Sequence, residues 1–309
     1  MIPVVPTLIA LAALGFVLVR KGPLWKRRLQ FLHAFRAGRK FYESYPHIAK
    51  DVRYGDVPRQ TLDVYWPPHG DRLPVVVFVH GGSWQWGSKA LYPLVGARFT
   101  AQGFVAVVIN YRLYPGVAFP AFVEDAAAAI AWTVRHIDAY HGDPGRVFAT
   151  GHSAGGHILS LVALDDRYLA AHGLTRDVIR GLIVASAPTD LDAEMRHLGA
   201  EGARGLAHIM GGPDFVRGAD PRWHARADAP PTLILHGVDD DLVPIGVARS
   251  FASALRAAGA PVELLEYADT DHFSIVLDAV RQRPDRPARL LADSVAFIRR
   301  LTQPPNSNA

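Results

Sequence analysis

Cysteine is absent from the 309-residue chain, which excludes disulfides, thiolate nucleophiles and zinc-cysteine centres. Acidic residues are absent from residues 1–40, although that stretch holds eight of the 33 Lys and Arg residues: Arg20, Lys21, Lys26, Arg27, Arg28, Arg36, Arg39 and Lys40. The remainder has 25 basic against 29 acidic residues, a net charge of −4 beneath the overall +4. The basic character belongs to one segment, so nucleic acid is not an expected partner. H-E-x-x-H, a P-loop and G-x-G-x-x-G are missing too, leaving metal, ATP and dinucleotide chemistry without a starting point; no cofactor and no metal site are expected. No Ser/Gly-rich or charged linker interrupts residues 50–300, and half the chain is hydrophobic, which predicts one domain with one large core.

What is present begins with an apolar run, MIPVVPTLIALAALGFVLV, uncharged from Ile2 to Val19. A helix needs about 20 such residues to cross a bilayer. Positive residues follow the run instead of preceding it, and no A-x-A site comes after it, the reverse of a cleaved signal peptide. The expectation is an uncleaved anchor helix over residues 1–22, then a basic amphipathic juxtamembrane segment over 23–49, in which Leu24, Trp25, Leu29, Phe31, Leu32 and Phe35 alternate with the cations. The charge bias would keep the domain at 50–304 on the cytoplasmic side. A surface amphipathic arm or an export signal is the alternative.

Beyond residue 50, VRYGDVPRQTLDVYWP reads as two strands around a turn, and LPVVVFVH, GFVAVVINY, RVFAT, IRGLIVAS, PTLILHG and VELLEY as buried strands. SKALYPLVGARFTAQG, FVEDAAAAIAWTVRHIDAYHG, AGGHILSLVALDD, VARSFASALRAAGA and RPARLLADSVAFIRRL carry helical spacing. Strands apolar on both faces must be covered on both faces, which predicts an α/β fold with a mostly parallel central sheet flanked by helices. Residues 191–228 have helical pieces and no strand, and are expected to form an insertion or cap over the ligand-binding edge of the sheet.

Two glycine motifs follow strands. GHSAGGH, residues 151–157, comes after RVFAT and opens a helix. It satisfies G-x-S-x-G, in which Gly151 and Gly155 leave room for a sharp turn that lifts the Ser153 hydroxyl clear of the sheet. HGGSW, residues 80–84, follows LPVVVFV, where consecutive glycines leave backbone N–H groups open to an oxyanion. Gly82 and Ser83, with Ala154 after the serine, are the expected donors. His272, in YADTDHF after the last strand, is the expected base, while His80 and His152 inside the motifs shape their loops. Three consecutive carboxylates, Asp239, Asp240 and Asp241, follow PTLILHG, between the serine and the histidine in sequence. The residues alone leave open which of the three orients His272.

HGGSWQWGS, NYRLYP, FPAFVEDA, HGDPGRV, GHSAGGH, HGVDDDLVP and DHF, in that order, resemble the α/β-hydrolase fold over roughly residues 50–302. Within it the chain is similar to the serine esterases that include hormone-sensitive-lipase-like carboxylesterases, kynurenine formamidases and isoprenylcysteine methylesterases. The resemblance implies the acid pattern H-G-x-x-D-x-x-V-P, which selects Asp240, and structural roles for Asp143, Arg146, Tyr111 and Arg112. Ser83 stands where many lipase-like relatives have a third glycine, so HGG-x-W lies closer to the formamidase and methylesterase branches. The implied activity is hydrolysis of carboxylic esters through Ser153, Asp240 and His272. Trp84, Tyr114 and Phe119, with Trp86 and Phe122 nearby, are placed to line a pocket for an apolar acyl or aryl substrate. Amide hydrolysis of the arylformamidase kind is the runner-up; acyl transfer or a non-catalytic, membrane-tethered binding role uses the same scaffold. Nothing in the sequence indicates an oligomeric state.

Overall fold

In the computed structural model, which describes residues 42–276 and 289–302, runs of Val, Ile, Leu and Phe organise one eight-stranded sheet. Its strands are β1 (Ile48–Arg53), β2 (Thr61–Tyr65), β3 (Leu73–Val79), β4 (Val105–Ile109), β5 (Gly142–His152), β6 (Ile179–Ala185), β7 (Thr232–Gly237) and β8 (Val262–Tyr267). They lie in the order β1-β2-β4-β3-β5-β6-β7-β8, with β2 antiparallel to β1 and β4 and every other pairing parallel. The principal helices are α1 (Pro93–Thr100), α2 (Ala121–His136), α3 (Ala154–Leu164), α4 (Leu191–Ile209), α5 (Ile245–Ala257) and α6 (Arg289–Thr302).

Successive side chains of a strand point to opposite faces. Val75, Val77 and Val79 of β3 accordingly join one core with Phe122, Ala126 and Ile130 of α2 and Ile158 and Leu161 of α3. Val76 and Phe78 join another with Val95 and Phe99 of α1 and Val295, Phe297 and Ile298 of α6. Burying each such side chain contributes roughly 1.5–3 kcal/mol relative to leaving it in water. Every residue of α3 is buried, as expected of a helix apolar on all sides.

The first strand lies earlier than its apolar pattern suggests. It starts at Ile48, inside the segment assigned from sequence to the basic juxtamembrane stretch, and Tyr42 and Tyr45 also pack against the body of the domain. The physical reason is that β1 is a half-exposed edge strand with weak apolar alternation, and a register shift between Ala49 and Val52 breaks what alternation there is. A buried cation replaces apolar packing there: the Lys89 ammonium donates to Asp51 and Asp63, each at 2.6 Å. The expected anchor, residues 1–22, and the basic stretch up to residue 41 lie outside the described residues. Among the described residues no helix is long and apolar enough to cross a membrane.

Between β6 and β7 the chain forms helices and no strand. Helix α4 is broken at Gly199 (φ +71°), and a short helix at Val216–Ala219 follows. Arg222 ties the segment together, reaching Asp190 at 3.0 Å, Asp192 at 2.7 Å and Asp220 at 3.3 Å. These three carboxylates lie close enough to share a cation, and the guanidinium already fills that role. His197 of α4 meets the carbonyl of Asp241 at 2.9 Å, which brings the segment over the carboxyl end of β7.

Candidate active site

The parallel strands end level with one another: Val79 pairs with Gly151, His152 with Ala185, and Gly237 with Tyr267. The loops that leave β3, β5, β7 and β8 therefore converge on one rim of the sheet, the crevice where open α/β sheets bind ligands. Ser153 sits at the tip of β5 with φ +55° and ψ −126°, a conformation costly for a residue with a Cβ. Packing holds it there. A Cβ at Gly151 would lie 2.5 Å from the carbonyl of Gly155, and one at Gly155 would lie 2.1 Å from the carbonyl oxygen of Val79.

Those neighbours are backbone atoms and cannot swing aside. The Gly155→Ala variant is therefore expected to lose roughly 3 kcal/mol of stability. Gly205→Ala, in α4 with nothing within 4 Å of the new Cβ, should be neutral or gain up to about 1 kcal/mol. Urea denaturation of the two variants checks the contrast; equal stabilities would contradict the packing account.

The Ser153 hydroxyl lies 3.0 Å from His272 Nε2, and His272 Nδ1 lies 2.8 Å from Asp240 Oδ2. All three side chains are buried. Of the aspartate triplet, Asp239 and Asp241 are exposed and Asp240 turns inward. The other oxygen of Asp240 accepts from the backbone N–H groups of Leu242 (3.1 Å) and Val243 (2.9 Å). Burial pushes the Asp240 carboxyl up, but the hydrogen bond and charge of His272, with the Val243 N–H, outweigh it and hold the group below the usual carboxylate range. Main-chain bonds join the acid and histidine loops: the Val238 N–H donates to Tyr267 at 2.9 Å and the Asp239 N–H to Thr270 at 3.1 Å. Gly237 makes this approach possible, since a Cβ there would lie 2.1 Å from the Thr270 carbonyl oxygen.

The motif histidines are framework. His152 donates from Nε2 to the main-chain carbonyl of His272 at 2.9 Å, and burial, with the His272 ring beside it, pushes its pKa down to about 3. His80 stacks on Tyr111 with ring centroids 4.5 Å apart, and burial lowers its pKa to about 3 as well. Both stay neutral at working pH. His236, the first residue of the acid pattern, meets the Val243 carbonyl at 2.8 Å and lies 3.4 Å from Asp240 Oδ2, so a second ring flanks the acid.

After β3 the chain makes a tight turn in which Gly82, Ser83 and Trp84 all have positive φ (+127°, +50° and +60°). Gly81 lies against the serine, since a Cβ there would come within 3.0 Å of the Ser153 Cβ. Among the described residues, no hydrogen bond takes up the N–H of Gly82, Ser83 or Ala154. Of the residues expected to line a pocket, Trp84, Phe119 and Phe122 are buried in the core between α2 and α3, while Tyr114 is half-buried. The residues expected to be structural are so placed: Arg112 pairs with buried Asp125 at 2.8 Å, Arg146 with Asp143 at 2.9 Å, and the Tyr111 hydroxyl donates to the His80 carbonyl.

Glu194 carries no motif and stood out in no sequence pattern, yet it is buried at 6% exposure in the first turns of α4, and its Oε2 has no partner. Burial, and the charge of Asp240 behind it, push its carboxyl up to about 8. The unfolded chain gives up this proton near 4.5, whereas the folded chain holds it to about 8. Stability from this group is therefore full below 4.5, falls as pH rises between the two values, and is lost above 8. Glu194→Gln removes the titration, so its stability relative to the parent should grow by as much as about 4 kcal/mol between pH 4.5 and 9. Chemical denaturation across that range checks this; parallel pH curves would show Glu194 to be solvated.

An eight-stranded, mostly parallel sheet with serine, acid and histidine on the loops after β5, β7 and β8 defines the α/β-hydrolase fold. The chain belongs to the BD-FAE family, whose model matches residues 62–255. It is similar to the isoprenylcysteine alpha-carbonyl methylesterase of Arabidopsis thaliana, at 32% identity over 81% of this chain and 62% of that protein. An esterase of Mycobacterium tuberculosis is 33% identical over 75% of this chain and 61% of its own. The chain spans 53% to 64% of the length of the plant relatives it matches. Among solved structures, a propionate-bound thermophilic esterase from Thermogutta terrifontis superposes with a TM-score of 0.69 at 27% identity, covering 86% of this chain and 99% of that one.

Proposed function

We propose that the chain hydrolyses carboxylic esters through an acyl-enzyme on Ser153. The observation that carries this reading is the continuous line of hydrogen bonds from Ser153 through His272 to Asp240. As Ser153 Oγ attacks the ester carbonyl, His272 Nε2 takes its proton and then delivers it to the departing alkoxide. Asp240 fixes the imidazole with Nδ1 protonated and stabilises the cation that forms. The backbone N–H groups of Gly82, Ser83 and Ala154 receive the negative charge on the carbonyl oxygen, aided by the N-terminus of α3. Water then attacks the acyl-enzyme by the same steps in reverse.

The substrate class is an ester with an apolar acyl or aryl part. Support comes from the relatives named as esterases, and from the Thermogutta terrifontis enzyme holding propionate in one structure and butyrate in another. Those ligands favour a short acyl group. The reading of residues 1–22 as a membrane anchor, with the catalytic domain on the cytoplasmic side, rests on the apolar run and the cations that follow it. Turnover of p-nitrophenyl acetate, butyrate, octanoate and palmitate tests the substrate class, with the highest kcat/KM expected at the short end. A fluorophosphonate probe should label Ser153. No labelling and no ester turnover would overturn the reading, and recovery of the full chain in the soluble fraction of its host would overturn the anchor.

A further inference from the structure

Three consecutive residues in left-handed or glycine-only conformations persist only where their surroundings over-determine them. Gly82, Ser83 and Trp84 form such a run. The turn's own bonds, from the N–H groups of Gln85 and Trp86 to the Gly82 carbonyl, close it but do not orient it toward Ser153. From outside the turn, the Tyr114 N–H donates to the Trp84 carbonyl at 2.9 Å, and the Trp84 indole, which is 4% exposed, packs edge-on against the ring of His157, with centroids 5.0 Å apart and planes at 86°.

The hydrogen bonds of His157 define its protonation. Nε2 lies 2.7 Å from the carbonyl oxygen of Ala219, which only accepts, so Nε2 carries the proton. Nδ1 is then the acceptor for the indole N–H of Trp84, at 3.3 Å. The ring is fully buried, and burial lowers its pKa to about 4, which keeps Nδ1 free to accept. His157 follows Ser153 by four residues on α3, and its own N–H donates to the Ser153 carbonyl at 3.1 Å. One neutral imidazole thus connects the turn after β3, the helix that carries the serine, and the insertion over the site.

We propose that His157 is a positioning residue: through Trp84 it holds the Gly82 and Ser83 N–H groups at the distance from Ser153 that a tetrahedral oxyanion requires, and through Ala219 it ties that distance to the insertion. The proposal rests on the reading of those N–H groups as oxyanion donors. A donor displaced by about 1 Å costs on the order of 100-fold in rate, comparable to deleting one donor. The oxyanion forms in the transition state and not in the bound ester, so the loss falls on kcat and not on KM.

The test uses the full chain, with active sites counted by fluorophosphonate labelling carried to completion and turnover measured on p-nitrophenyl butyrate. In His157→Leu, kcat per labelled site should fall about 100-fold with KM within about threefold of the parent. Trp84→Phe, which removes the indole N–H together with part of the ring that packs on His157, should fall about 10-fold, and the double variant should be no worse than His157→Leu. His157→Gln, which keeps an acceptor and a donor, should recover at least about 10-fold of the loss and also reports if His157→Leu fails to fold. A kcat per labelled site within about threefold of the parent in His157→Leu, multiplicative losses in the double variant, or an effect confined to KM would each overturn the proposal. If the parent is not labelled at Ser153, the catalytic reading itself falls; a labelled parent with an indifferent His157 sinks this inference alone.

Discussion

Replacing Ser153 by alanine is expected to lower kcat for ester hydrolysis by about 10⁴–10⁶-fold while leaving the fold intact. The size follows from what is removed: without Oγ there is no acyl-enzyme, and His272 has no proton to take. What survives is the polarising effect of the oxyanion donors on a bound ester attacked by water. The alanine keeps the same backbone conformation, which is held by Gly151 and Gly155 and not by the serine side chain. Thermal unfolding should therefore be unchanged within a few degrees. Initial rates with p-nitrophenyl butyrate at matched folded concentrations check the prediction, and retention of more than about a hundredth of the parent rate would place the nucleophile elsewhere.

The second large effect belongs to one member of the aspartate triplet. Asp240→Asn is expected to lower kcat by about 10³–10⁴-fold, because the asparagine can present its NH₂ to His272 Nδ1 and stabilise the tautomer whose proton sits on Nε2, facing Ser153. That tautomer cannot accept the serine proton. Asp239→Asn and Asp241→Asn should stay within about threefold of the parent, since both side chains are exposed and neither reaches the imidazole. The three variants measured side by side separate position from charge, as each removes one carboxylate from the same loop. Equal losses in all three would mean that the net charge of the loop, and not the 2.8 Å contact, sets the activity.

The two glycine motifs were legible in the sequence because the constraint they satisfy is local. A sharp turn between a strand and a helix leaves no space for Cβ atoms at Gly151 and Gly155, whatever the rest of the chain does. The central strands were legible for a similar reason, as VVVFV and VAVVI have no polar face to show solvent. The edge strand starts before its apolar pattern because Lys50 and Asp51 interrupt that pattern, and part of what holds it is the pairing with β2 and the Lys89 ammonium, 38 residues beyond Asp51. Distance in sequence hid other features too. His157 meets Trp84 across 73 residues and Ala219 across 62, and nothing at either end announces the other. Glu194 gave no signal because its peculiarity is an absence of partners, a property of the folded environment alone. The choice among the three aspartates needed a family pattern, and the structure brings Asp240 inward by main-chain bonds that no side-chain pattern records.

The strained turn at Ser153 separates the reactive atom from the residues that shape its seat. Its geometry is written in Gly151, Gly155 and the carbonyl of Val79, none of which takes part in bond making. The reactive atom is therefore a passenger on a socket that other residues maintain. A lineage could trade the hydroxyl for another small side chain, lose one reaction and acquire another, with no repair needed in the sheet beneath. Conversely, a change at either flanking glycine would shift the socket itself and so disturb every chemistry it could host.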